Sequence, residues 1–191
     1  MNRRKAVITI SFASAGAVAL VGGYKWFDIA KAPDLTYLQN HRALVSALAE
    51  TIIPTTDTPG AKDADVGDFI IMMVRDCTDR KNQNKFINGL KNLQDYSQSQ
   101  FNHPFETCAT NQQESILTHF EKKASSSGGI IEKIQNRYLG KSFFTILKEY
   151  TVEGYCTSEP GATRALALVA VPGSFRGCIP KLPGQRAWAT S

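Results

Sequence analysis

From Asp34 onward the apolar positions fall on helical spacing, and the runs break at proline, glycine or short polar turns. Leu38, Val45, Leu48 and Ile52 line one face of a first helix. Pro54 stops it, because proline lacks the amide hydrogen and its ring clashes with the preceding turn. Thr55 to Gly60 reads as a turn, with two prolines, an Asp, a Gly and hydroxyls able to bond the backbone. Val66, Phe69, Ile70, Met73 and Cys77 keep helical spacing in a second helix, with Asp63 and Asp65 placed to cap its positive end. Phe86, Leu90 and Leu93 mark a third helix that ends near Phe101, where His103-Pro104-Phe105 forces a loop.

Thr110-Asn111-Gln112-Gln113 has the spacing of a capping box and opens a fourth helix with Ile116, Leu117 and Phe120 inward. A Ser/Gly connector over 125–129 follows, then a fifth helix from Ile130, Ile131 and Ile134. Phe143, Phe144, Leu147 and Tyr150 give a sixth, and Ala162 to Ala167 a short one. The proline- and glycine-rich remainder has no periodicity, and alternating strand patterns are few. The expected fold is all-α: one irregular helical-bundle domain over 33–191 with an extended C-terminal tail. Residues 1–32 are expected to form a separate signal or anchor helix.

That N-terminal segment changes how the charge reads. The 191 residues carry a net +5, which suggests nucleic acid until the charges are placed. Residues 1–32 hold Arg3, Arg4, Lys5, Lys25 and Lys31 against Asp28, leaving 17 basic and 16 acidic side chains in the body. With no basic run interleaved with aromatics, a nucleic-acid partner is excluded. The pair Arg3-Arg4 precedes Ala6 to Gly23, a mildly apolar stretch without charge, which is the layout of a twin-arginine export signal. Ala30-Lys31-Ala32 offers a cleavage pattern, but Pro33 follows it, so an uncleaved anchor stands beside a cleaved signal. At 1.5 Å per residue the stretch reaches about 27 Å, marginally enough to span a bilayer.

Cys77, Cys108, Cys156 and Cys178 are an even number in the exported part and suit an oxidising compartment. The expected pairs are Cys77–Cys108 and Cys156–Cys178, each joining segments that the helix order makes neighbours. The alternative is reduced thiols packing as small hydrophobes. Chemistry-bearing motifs are missing from the sequence. There is no Cys-x-x-Cys-His for haem, no G-x-G-x-x-G after a strand, no phosphate loop and no zinc or iron–sulfur spacing. His41, His103 and His119 are scattered. The acidic cluster Asp57, Asp63, Asp65 and Asp68 fails the calcium-loop pattern, with Asp68 where Gly belongs and Val74 where the bidentate Glu should be.

Two segments remain that composition does not explain. One runs Ile52-Ile53-Pro54-Thr55-Thr56-Asp57-Thr58-Pro59-Gly60-Ala61. The other runs Glu153-Gly154-Tyr155-Cys156-Thr157-Ser158-Glu159-Pro160-Gly161-Ala162 and closes at Pro172-Gly173-Ser174-Phe175-Arg176-Gly177-Cys178. With the Phe143-Phe144 helix between them, they resemble the third, small subunit of gluconate 2-dehydrogenase over roughly residues 34–180. Cys156 departs from that pattern, where relatives more often carry an aromatic.

The resemblance implies a chain without catalytic, cofactor or metal residues of its own. It would serve a large FAD-binding dehydrogenase and a cytochrome c carrying haem c, on the periplasmic side of a bacterial inner membrane. Membrane association would come through the complex or an uncleaved N-terminus. Assembly, stability and export of the flavoprotein would be its role. The rival readings are a free-standing exported enzyme and a membrane-tethered interaction protein. Phe175, Ile179, Leu182 and Trp188, spaced along proline-broken chain, are the candidate partner contacts; the alternative is that they fold back over the domain's own core.

Overall fold

The computed structural model describes residues 31–125, 140–171, 173–174, 178, 180 and 183–189. Six α-helices lie among them: α1 Leu35–Asn40, α2 Arg42–Ile52, α3 Val66–Met72, α4 Arg80–Phe101, α5 Thr110–Ser125 and α6 Phe143–Thr157. No strand occurs among the described residues, only an isolated parallel bridge between Ala167 and Trp188. The fold is all-α. Arg3, Arg4, the apolar stretch 6–23 and the expected fifth helix lie outside the described residues. Among the described residues no helix is long and apolar enough to cross a membrane.

Helix α6 organises the bundle by packing against α2, α3, α4 and α5. It can do so because Phe143, Phe144, Ile146, Leu147 and Tyr155 are buried on several of its sides. Phe143 meets Phe86 of α4 at 5.3 Å and Phe120 of α5 at 6.1 Å between ring centroids. Phe86, Phe105, Leu48, Ile70, Leu90 and Ile116 complete a core closed to solvent. Each such side chain contributes about 1.5–3 kcal/mol by leaving water. At Gly154 a Cβ would lie 2.5 Å from the Phe69 ring, so the glycine sets how closely α6 approaches α3.

Several local expectations shift. The first helix is two, broken at His41, whose Nδ1 lies 2.8 Å from the Tyr37 carbonyl and whose ring stacks on Tyr37 at 3.8 Å. Beyond Met72 the second helix widens into a π-turn over Met73–Cys77. The extra residue per turn breaks the expected spacing, so Val74 is buried and Cys77 is exposed. Gln83 Nε2 donates to the Val74 and Arg75 carbonyls at 2.9 Å each, satisfying acceptors that the wider turn frees. The capping box sits one residue early: the Ala109 N–H donates to Gln112 Oε1 at 3.0 Å. Gln113 instead donates to the Phe105 carbonyl at 2.9 Å. Asp65 precedes α3 in the left-handed region at φ 50° and makes no side-chain cap, and Asp63 serves the preceding turn instead.

Candidate docking surface

Helix α2 ends where Pro54 removes a donor, and its last turn presents Glu50 to the chain that follows. Glu50 Oε1 accepts from the Thr55 N–H and the Thr55 hydroxyl, both at 2.9 Å. Its Oε2 accepts from the Lys62 N–H at 2.7 Å. Asp63 Oδ2 accepts from the Gly60 N–H at 3.3 Å and also lies 3.1 Å from the Thr55 hydroxyl. One hydroxyl hydrogen thus faces two carboxylates. A backbone bond from the Ala61 N–H to the Ile53 carbonyl, 2.9 Å, closes the turn over buried Ala61. A Cβ on Gly60 would lie 2.5 Å from Glu50 Oε1, so the carboxylate fits only beside glycine.

The second segment folds onto the first. Tyr155, on the last turns of α6 and 7% exposed, donates its hydroxyl to the Pro59 carbonyl at 2.6 Å. Ser158 Oγ donates to the Tyr155 carbonyl at 2.7 Å and accepts from the Gly161 N–H at 3.1 Å. The chain then turns through a π-turn, Gly161–Ala165. It turns so tightly that a Cβ on Gly161 would fall 1.9 Å from the Tyr155 carbonyl oxygen.

Between the two segments lies an open polar depression. Thr55, Asp57 and Asp63 line one side, Pro160, Thr163 and Arg164 the other. Arg186 closes its end, its guanidinium donating to the carbonyls of Thr163, Arg164 and Leu166 at the end of the π-turn. Two residues on, Trp188 is bridged to Ala167 and is 51% exposed. Leu168, Val169 and Val171 continue outward, Val171 at 83% exposure. An apolar ridge therefore runs from the edge of the polar depression.

Among the described residues lining the depression there is no histidine or cysteine. His119 stacks on Tyr96 at 4.4 Å, away from the depression. Among the described residues no group of three or more His, Cys, Asp or Glu side chains could hold a metal ion. Sequence reasoning quoted both segments but missed Glu50, Arg164 and Arg186. Glu50 carried one signal, an acid in the final turn of a helix five residues before a Thr-rich loop. Arg186 carried none, because its acceptors are backbone carbonyls twenty residues away.

All four cysteines are free thiols, so neither expected pair is bonded in this structure. Cys108 behaves as the packed small hydrophobe of the alternative reading: it is buried, 3.3 Å from Ser97 Oγ and 3.4 Å from the Pro104 carbonyl. Cys77 and Cys178 are exposed and Cys156 is half-buried. Phe175, Ile179 and Leu182 lie outside the described residues, as does the start of the cleavage pattern at Ala30. Of the tail contacts only Trp188 is placed. Its backbone bridges to Ala167, and the residue is about half exposed.

Residues 52–61 and 153–162 fall within a match to the family model for gluconate 2-dehydrogenase subunit 3, which covers residues 39–173, while the closing stretch 172–178 runs past its end. The chain belongs to that family. No curated protein and no solved structure matches it. The matched stretch of this subunit 3 chain contains the junction of Tyr155 with Pro59 and the described helices from α2 to α6. Arg186 and Trp188 lie beyond it.

Proposed function

We propose that this chain is the non-catalytic small subunit of a membrane-associated, FAD-dependent gluconate 2-dehydrogenase-like complex. It supports assembly, stability and export of the flavoprotein subunit. The family match across residues 39–173, spanning both segments of the depression, is the observation that carries the reading. The large subunit supplies the FAD that takes electrons from the sugar-acid hydroxyl, and a cytochrome c subunit with haem c carries them toward quinone.

The docking face is the polar depression together with the ridge of Leu168, Val169, Val171 and Trp188. Exposed apolar side chains beside satisfied polar groups are what a subunit interface offers: anchors that exclude water, and a rim that fixes register. Export follows from Arg3 and Arg4. A flavin loaded in the cytoplasm requires a translocation route for folded protein, and a small subunit bearing the signal can carry a partner that lacks one. The complex then sits on the periplasmic face of the inner membrane.

The test is co-expression of the large flavoprotein with and without this chain. Flavin-loaded large subunit in the periplasm, and dye-linked oxidation of gluconate, are expected only when the chain is present. The isolated chain is expected to oxidise nothing. Oxidation of sugars by the isolated chain would establish the free-standing enzyme instead. Full export and activity of the flavoprotein without it would leave only a tethered protein of other purpose.

A further inference from the structure

We propose that residues 185–189 form a strap over the π-turn Gly161–Ala165, latched by Arg186 and fastened when the flavoprotein docks. This rests on the small-subunit reading and its docking face. The π-turn is secured differently at its two ends. At its start Ser158 Oγ accepts from the Gly161 N–H at 3.1 Å, and the Tyr155 carbonyl leaves no room for a Cβ on Gly161. At its end the Leu166 N–H donates to the Gly161 carbonyl at 2.9 Å, and Leu166 itself is already extended. No further turn follows to use the last carbonyls, and the end of a helical turn carries partial negative charge. Arg186 meets both needs, its guanidinium donating to the carbonyls of Thr163, Arg164 and Leu166.

Two backbone bonds continue the attachment. The Ala167 N–H donates to the Ala187 carbonyl at 2.8 Å, and the Ala189 N–H to the Ala167 carbonyl at 3.0 Å. None of residues 183–189 is buried. Hydrogen bonds that water can replace, without apolar burial beneath them, open far more often than a core does. Beside the strap stand Trp188, Leu168 and Val169, each about half exposed. A partner that covers these three supplies the apolar burial that the strap lacks. Because it then binds the closed strap in preference to the open one, docking shifts the strap toward closed. Arg186 is thereby a positioning residue, acting on the flavoprotein through the place it gives Trp188 and the end of the π-turn.

Hydrogen exchange is followed amide by amide on the full chain in mild detergent, alone and with the flavoprotein. In the free chain the amides of Leu166, Ala167 and Ala189 are expected to exchange about tenfold or more faster than those of buried Leu147 and Thr151 in α6. With flavoprotein at about 100 times its dissociation constant they should slow about hundredfold. Arg186→Ala should speed them about fivefold in the free chain and leave Leu147 and Thr151 unchanged. Arg186→Lys, which keeps the cation, should restore part of the protection. Trp188→Ala should remove most of the slowing that docking brings. Strap amides as slow in the free chain as those of α6, or unmoved by Arg186→Ala, overturn the latch. A flavoprotein that co-purifies with the chain yet leaves the strap amides unslowed docks elsewhere, which overturns the proposal and leaves the small-subunit reading standing. A flavoprotein that does not associate with the chain overturns both.

Discussion

Replacing Tyr155 with Phe tests the joint between the two segments with the smallest available change. The ring stays, so no cavity opens and the packing of α6 is kept. What disappears is one hydroxyl that donates to the Pro59 carbonyl at 2.6 Å. A neutral hydrogen bond of this kind contributes about 0.5–1.5 kcal/mol net. Because Pro59 is half-buried, water can reach its carbonyl in part, and a loss near 1 kcal/mol is expected. For a domain of this size that lowers Tm by about 2–4 °C. Tyr155→Ala, which also vacates the ring, should cost about 3–5 kcal/mol. Urea unfolding of the full chain in mild detergent measures both, with the Phe variant shifting the midpoint at unchanged slope. Hydrogen exchange localises the effect: amides of Gly60, Ala61 and Lys62 should exchange faster, while those of central α4 change only with global stability. A Phe variant within about 0.3 kcal/mol of the parent, with unaltered exchange at 60–62, would refute the joint, since surface-neutral substitutions fall in that range.

Gly161→Ala must move the Tyr155 carbonyl from a Cβ placed 1.9 Å away, and should cost more than Tyr155→Phe, about 2–3 kcal/mol by urea unfolding. The phenol of Tyr37 is held above its ordinary pKa by burial and then by Asp95, Glu106 and Asp34. Its contribution to stability is therefore complete below the unfolded value of 10.0 and is lost as pH rises through the raised folded value; ultraviolet titration should show one phenol ionising late, and Tyr37→Phe should abolish that step. A thiol reagent applied to reduced native chain should modify exposed Cys77 at once and Cys108 only on unfolding, whereas rapid labelling of Cys108 would contradict its burial. Replacing Arg3 and Arg4 with lysine should stop export of this chain and of the co-expressed flavoprotein, and unchanged periplasmic levels of both would favour a simple anchor. Truncation after Gly173 removes Arg186 and Trp188 and should reduce co-purification of the flavoprotein; full recovery with a folded truncated chain would exclude the tail from the interface.

Helix positions were legible in the sequence because burial enforces a 3.6-residue period over long elements, and α4, α5 and α6 begin or end within a residue or two of the expected places. The misses share a cause: each is a local hydrogen-bonding choice that periodicity does not encode. Apolar spacing could not show that Met73–Cys77 would widen into a π-turn, because that depends on Gln83 reaching back to the Val74 and Arg75 carbonyls. Nor could it show that Glu50, rather than Asp63 or Asp65, organises the loop before α3. The docking surface was legible as two strings of residues but not as one place. Their meeting is a tertiary contact between Tyr155 and Pro59, which only the packing of α6 against α2 and α3 creates.

That contact also sorts the residues of the first segment by task. Gly60 and Ala61 are buried, Gly60 crowded against Glu50, and exposed Thr55 is held in place by the same carboxylate. Asp57 and Thr56 bond each other at 3.0 Å and remain exposed, so no part of the fold beyond the loop depends on them. A loop fixed from beneath by two carboxylates and from the side by a tyrosine loses little conformational entropy when a partner covers it. Pre-ordering of this kind raises affinity without adding contacts. The inward residues therefore answer to stability and the outward ones to binding. Asp57→Asn should leave the unfolding midpoint within about 0.5 kcal/mol of the parent, as an exposed surface substitution does, while weakening capture of the flavoprotein. Equal loss of stability and capture would mean that the exposed residues serve only the fold, and that the partner binds elsewhere.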